Sequence, residues 1–244
     1  MSKGYEVFKA LEVHHNNPNT KVEFEKPYAE GISFSLSDHI RGMILAMLSL
    51  QRDFGPIEKH ICDIEKIYYY YDAEKIKAAD PEALTKAVKG IKCGNRRIKF
   101  QSKALKHNIE YLESIQKEFG KIDTYYRSMS KYELVNTLNS HFREMGTALI
   151  SEYLPYVGID LPKSDSHLKR FLGNNRLGLS KKENATANEC FGIIHTIALE
   201  SGEREKYIDY LFWCYCSDSR DDICGAIPNC EKCIIKEYCN MNKK

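Results

Sequence analysis

"NSHFREMGTALISEYLPYVGIDLPKSDSHLKRFLG", residues 139–173, decides how this chain is expected to fold. A helix starting at 131 runs out near Ser140, a tight turn containing Gly146 follows, and another helix opens at Thr147. Pro162 ends the next segment, and Asp165 starts a further helix with Lys169 and Arg170 in its later turns. Backbone N–H groups of such a turn, together with the helix N-terminus behind it, can hold a phosphate. Taken singly, each feature is ordinary. Helical corners are common, and Asp165 or Ser164 has a sufficient explanation as an N-cap worth about 1 kcal/mol.

The surrounding chain is helical throughout. Ile40, Ile44, Met47 and Leu48 fall at the three-to-four spacing of a buried stripe, and Ile57, Ile61, Ile64 and Tyr68 repeat it after Gly55-Pro56. Asp80-Pro81 reads as an N-cap with proline in the first turn. Ser130 with Glu133, and Ser180 with Glu183, match the capping box. Gly120, Gly158, Gly173 and Gly202 stand where helices should stop. Residues 20–28 are the only strand candidate, and Pro27 argues against a sheet, so the fold class is all-α. Tyr68–Tyr71 read as core and helix surface.

No segment has the length and apolarity of a membrane span, and residues 1–30 lack a secretory signal pattern, so a cytoplasmic monomer is expected, nucleoid-associated in a prokaryote. The net charge is only +2, but its distribution is uneven. From Ala83 to Ile109 there is no acidic residue, against Lys86, Lys89, Lys92, Arg96, Arg97, Lys99, Lys103 and Lys106. Such a run suggests a face for a polyanion. Its bland alternative is a solvated helix face whose acidic partners come from elsewhere in the fold.

Nine cysteines in a chain expected to be intracellular argue against a disulfide framework. Cys62, Cys93, Cys190, Cys214 and Cys216 are scattered, as small buried apolar residues would be. Cys224, Cys230, Cys233 and Cys239 are spaced C-x5-C-x2-C-x5-C. A zinc ribbon has two C-x-x-C knuckles and this segment has one, so its spacing favours a [4Fe–4S] cluster over zinc. A cluster there would staple a tail poor in apolar residues and present Lys232 and Lys236 on a rigid surface.

In order and spacing these stretches resemble the helix–hairpin–helix DNA glycosylases, specifically the endonuclease III branch with a C-terminal iron–sulfur cluster, over about residues 33–239. The resemblance implies a six-helix barrel over 33–155 containing the hairpin, and a helical cluster domain from 1–32 and 156–244. "FREMG" (142–146) matches the hairpin, so Met145, Gly146 and Thr147 would touch phosphate. "LSLQRD" (48–53) offers Gln51 to fill the gap left by an extruded nucleotide. "CGNRRIKF" (93–100) offers Arg96, Arg97 or Ile98 as the wedge. Asp165 matches the catalytic aspartate, with Lys169 and Arg170 as further DNA contacts.

The implied activity is hydrolysis of the N-glycosidic bond of a damaged or mispaired base swung out of double-stranded DNA. Two departures bear on it. Glu144 stands where the hairpin usually has its first glycine, and the slot of the lyase lysine falls on Thr147 or Ala148, which carry no amine. A monofunctional glycosylase is therefore expected. The alternatives are a glycosylase–lyase using a displaced amine such as Lys163, and a lesion-binding protein that has lost turnover. Met47, near the position of the adenine-specific glutamate, argues against adenine removal opposite an oxidised guanine.

Overall fold

The computed structural model describes residues 1–15, 26–28, 32–52 and 54–243. Their regular structure is entirely helical. In chain order the α-helices are α1 (Lys3–His14), α2 (Leu36–Leu48), α3 (Gly55–Lys59), α4 (Ile61–Ile67), α5 (Ala73–Ala78), α6 (Pro81–Gly90) and α7 (Ile98–Phe119). They continue as α8 (Ile122–Arg127), α9 (Lys131–His141), α10 (Thr147–Tyr156), α11 (Ser166–Leu172), α12 (Ala187–Ser201) and α13 (Glu205–Cys216). The strand candidate at 20–28 lies outside the described residues except for 26–28, a single 3-10 turn. None of the described helices is long and apolar enough to cross a membrane.

The chain divides into two compact units, Glu30–Ile159 and Met1–Ala29 with Asp160–Lys244. In the first, α2 is buried on nearly every side and packs on α7 and α10. Such a helix must satisfy any polar group it carries into the core. His39 does so with both ring nitrogens, Nδ1 at 2.6 Å from the Tyr153 hydroxyl and Nε2 at 3.2 Å from Asp123 Oδ1. The Phe34 amide donates to the other Asp123 oxygen, and Tyr126 meets Tyr153. Burial pushes the Asp123 carboxyl up, but the bonds from His39 and Phe34 prevail and hold it below its ordinary value. Gly42 lets α2 lie close to α10: a Cβ there would lie 2.9 Å from Tyr156 Cβ.

Tyr68 and Tyr71 are buried while Tyr69 and Tyr70 are exposed. The run is core and surface, as its composition suggests, but Tyr69–Tyr71 have positive φ, so it ends one helix rather than extending it.

In the second unit, α1, α11, α12 and α13 enclose Phe8, Leu11, Phe171, Ile208, Phe212 and Tyr215. The Ser180–Glu183 capping box does not form. Residues 180–184 are irregular, and the box is made by Thr186 and Glu189 at the start of α12, with the Ser180 hydroxyl donating to Glu189. The Thr186–Glu189 spacing is the same three-residue step, and it is the one that stands at a helix start.

The Thr186 amide and hydroxyl, bonded to the Glu189 carboxylate, lower its pKa from the ordinary 4.5 to about 2. A folded-state value below the unfolded one means that this contact stabilises the fold above pH 4.5. Its contribution is lost as the pH falls from about 4.5 toward about 2. The urea midpoints of the parent and Glu189→Gln should therefore differ at neutral pH and converge through that window. A gap that stays constant with pH would refute the linkage.

Candidate nucleic-acid interface

The hairpin forms at 142–146 between α9 and α10. Phe142 and Met145 point into the core, so Met145 can face an external ligand only through its backbone. Buried Asn108 on α7 clamps the turn, its side-chain oxygen accepting from the Arg143 amide at 2.8 Å and its nitrogen donating to the Arg143 carbonyl at 3.0 Å. Gly146 caps α10 without a side-chain bond, so the first amides of α10, at Thr147 and Ala148, have no partner within their helix. Glu144 adopts φ 59°, the left-handed region a glycine would occupy without strain. Its carboxylate turns to Arg97, with Nε–Oε2 at 2.9 Å and Nη2–Oε1 at 2.7 Å.

That ion pair brings the 93–98 loop to the hairpin. The loop is in turn bolted to the end of α2: Asn95 and Gln101 both donate to the Met47 carbonyl, at 2.8 and 3.0 Å. Arg52 donates to the carbonyls of Lys92 and Gly94, at 2.7 and 3.2 Å. Gln51 beside it is exposed and has φ 49°, and Lys92 has φ 58°. Backbone strain of this kind persists only where the surroundings over-determine it. Gln51, the 93–98 loop and the hairpin thus form one assembly within one unit.

The wedge candidates separate by exposure. Ile98 is 2% exposed as the first residue of α7, so its side chain is core and cannot part a base stack. Arg97 is tied to Glu144, and Arg96 is exposed. Phe100 is 50% exposed with the Arg97 guanidinium 4.4 Å from its ring centre. Phe100 closes the 93–100 stretch but is not among the residues offered there for the wedge. The basic run is partly neutralised, as the bland alternative allowed. Glu82 takes Lys99 and Lys103, at 3.1 and 3.7 Å. Among the described residues no ion pair holds Lys86, Lys89, Lys92, Arg96 or Lys106.

Asp165 belongs to the other unit and is the N-cap of α11. Its Oδ1 accepts from the amides of His167 and Leu168, at 2.9 and 3.2 Å, so one oxygen carries the cap. Lys169 and Arg170 are half-buried on the same short helix, with Arg170 near His167 at 3.4 Å. Lys232 is exposed and Lys236 sits on a 3-10 turn. Lys163 donates its amide to Asp209.

The [4Fe–4S] expectation for Cys224, Cys230, Cys233 and Cys239 is overturned. Among the described residues, the one group of three or more ligand atoms within 4.8 Å of one another is His14, His15 and Asp221, and no cysteine sulfur belongs to it. Cys230 is exposed, whereas Cys224 is buried against Cys216, whose hydrogen bond lowers its pKa. Cys233 accepts from the Tyr215 hydroxyl at 3.3 Å. The tail is held without a cluster. The same Tyr215 oxygen accepts from the Ile234 amide at 3.0 Å, Ile235 is buried, and Asn240 bonds Arg176 and Asn174. Cys62 is likewise exposed rather than core.

No protein-family model matches the chain, and no curated protein matches it in sequence. Solved structures do match its fold, among them these two. The 8-oxoguanine DNA glycosylase of Thermotoga maritima (Tm1821) aligns with TM-score 0.62 and 18% identity, over 87% of this chain and 96% of that one. The Methanocaldococcus jannaschii 8-oxoguanine glycosylase/lyase, solved with a 15mer DNA containing 8-oxoguanine, aligns with TM-score 0.59 and 16% identity, over 86% and 96%. The chain shares the all-α fold of these two structures.

If Tyr215 anchors the tail, Tyr215→Phe should leave the Ile234 amide without its acceptor and cost about 1–3 kcal/mol. Urea unfolding measures the loss, and limited proteolysis should show faster cutting after Ile223. An unchanged midpoint would assign the anchoring to Asn240 and Ile235 alone.

Proposed function

We propose that this chain is a monofunctional DNA glycosylase that hydrolyses the N-glycosidic bond of an oxidised purine, with 8-oxoguanine the first substrate to test. Asp165 carries the reading: a carboxylate fixed at a helix start, in a chain with the fold of two 8-oxoguanine glycosylases. Base departure builds positive charge on the sugar, and a carboxylate held near the anomeric carbon stabilises that state and orients the attacking water. Capping bonds to Oδ1 fix the carboxylate and leave Oδ2 outside the cap. A group already positioned does not have to reorganise as the charge appears.

DNA would be gripped through its phosphates at the free amides of Thr147 and Ala148, with Arg96 and the lysines of α6 and α7 adding charge. Gln51 would fill the space of the extruded nucleotide. For the wedge, Phe100 has the exposure and the apolar ring that Ile98 lacks. Neither Thr147 nor Ala148 offers an amine at the start of α10, which supports hydrolysis by water over a Schiff base.

Asp165→Asn should lower the single-turnover rate of base release from an 8-oxoguanine duplex by about 10³-fold or more. Asparagine caps helices as well as aspartate, so its stability should stay within a few tenths of a kcal/mol of the parent. Retained turnover would remove Asp165 from the chemistry. If the parent releases no base from duplexes bearing 8-oxoguanine, uracil, mispaired thymine or alkylated purines yet binds them, the lesion-binding reading replaces the enzyme. A borohydride-trapped adduct lost in Lys163→Ala would establish the lyase instead.

The Arg97–Glu144 pair generates a separate expectation. Arg96→Ala should weaken duplex binding and reduce the slope of log affinity against log salt by about 1. Arg97→Ala should weaken it further, because an unpaired Glu144 carboxylate would then face the phosphate. Adding Glu144→Gly should restore part of the loss. Equal effects of the two arginine changes, with no rescue, would refute the shielding role.

A further inference from the structure

The helix end at His14 and His15 and the turn at Asp221 come from opposite ends of the chain and meet in one unit. His14 Nε2 stands 3.4 Å and His15 Nε2 3.1 Å from the same atom, Asp221 Oδ2, and all three ligand atoms lie within 4.8 Å of one another. His15 Nε2 is buried and, despite that closeness, has no hydrogen-bond partner. Close approach without hydrogen-bond alignment is poor geometry for an ion pair. It is the expected geometry for atoms that flank a common centre. Nitrogen and oxygen ligands bound at about 2.0–2.2 Å around a tetrahedral metal stand roughly 3.3–3.5 Å apart.

We propose that His14, His15 and Asp221 form a binding site for a divalent transition metal, zinc above all, with the remaining position open to water. Two imidazoles and one carboxylate are a donor set of intermediate softness, suited to zinc and its neighbours and not to calcium or magnesium.

The supporting structure is built on both sides. Asp221 sits in a turn closed by its own amide to the Cys214 carbonyl at 3.2 Å and by the Asp222 amide to the Ser217 carbonyl at 3.0 Å. His14 packs edge-on against Tyr215, with ring centres 6.0 Å apart. Tyr215 is the residue whose hydroxyl holds Cys233 and Ile234. A metal at this position would pin the end of α1 to the turn after α13, next to the anchor of the tail. The role is structural and independent of whether the chain acts on DNA.

Untagged full-length protein, stripped with a chelator and dialysed, would be titrated with zinc against a competing indicator dye, with metal content and thermal midpoint measured in parallel. One equivalent should bind, and the midpoint should rise by roughly 5–10 °C at zinc well above Kd. Asp221→Asn and His15→Gln should each weaken binding at least about tenfold. The Cys230→Ser/Cys233→Ser double variant should bind as the parent does. Should His15→Gln fail to fold by circular dichroism, Asp221→Asn, on an exposed turn, carries the test. Cobalt in place of zinc should give visible d–d bands without the strong near-ultraviolet charge transfer of thiolate ligation. Binding that survives both Asp221→Asn and His15→Gln, binding lost in the cysteine variant, a thiolate band, or no stoichiometric binding would each overturn the proposal.

Discussion

A carboxylate at the tip of a turn proposed to grip phosphate would repel that ligand. Glu144 occupies that tip in a left-handed conformation, and its bidentate pairing with Arg97 makes the arrangement tenable. Both side chains are partly exposed, so the pair itself stabilises the fold by no more than about 1 kcal/mol. Its larger consequence is geometric. Arg97 lies in the loop that Asn95, Gln101 and Arg52 fasten to α2, so one ion pair joins the hairpin, the loop and the turn carrying Gln51. The same guanidinium covers Phe100, a large apolar side chain exposed at the start of α7.

Most local chemistry was legible in the sequence, the Ser180–Glu183 box excepted, and long-range chemistry was not. The hairpin, the Asp165 cap, the Asp80-Pro81 start and the Ser130–Glu133 box are each decided within four or five residues, where side chain and backbone compete for the same few hydrogen bonds. The structure has all of them. Ile98 was misread because the wedge was sought by position in a loop, whereas the first turn of α7 already directs that side chain inward. Glu82 shows the same limit. It lies just outside the basic run in sequence, yet it serves Lys99 and Lys103 because α6 packs on α7.

The cysteine spacing posed a harder problem. Four thiols within sixteen positions invite a shared metal, and nothing local contradicts it. What decides the matter is Tyr215, on a helix that precedes the cysteine segment, and Cys216 on the same helix. They engage Cys233 and Cys224 separately, and among the described residues no cysteine sulfur joins a group of ligand atoms. Meanwhile His14, His15 and Asp221 carry no mutual spacing that a motif could express, because they are adjacent only in the folded unit.

On the proposed hydrolytic reading, the absence of an amine at the start of α10 and the presence of Asp165 at the start of α11 act in the same direction. An enzyme that attacks the sugar with lysine needs that lysine neutral and close, which constrains the whole surrounding pocket. An enzyme that uses water needs only a positioned carboxylate and a route for solvent. Small residues at Thr147 and Ala148 leave the helix end to its backbone amides, so the turn can be devoted to phosphate alone. Shielding of Glu144 by Arg97 then becomes a requirement of this arrangement. With no lysine at the hairpin to balance it, the glutamate's charge would otherwise stand against the strand.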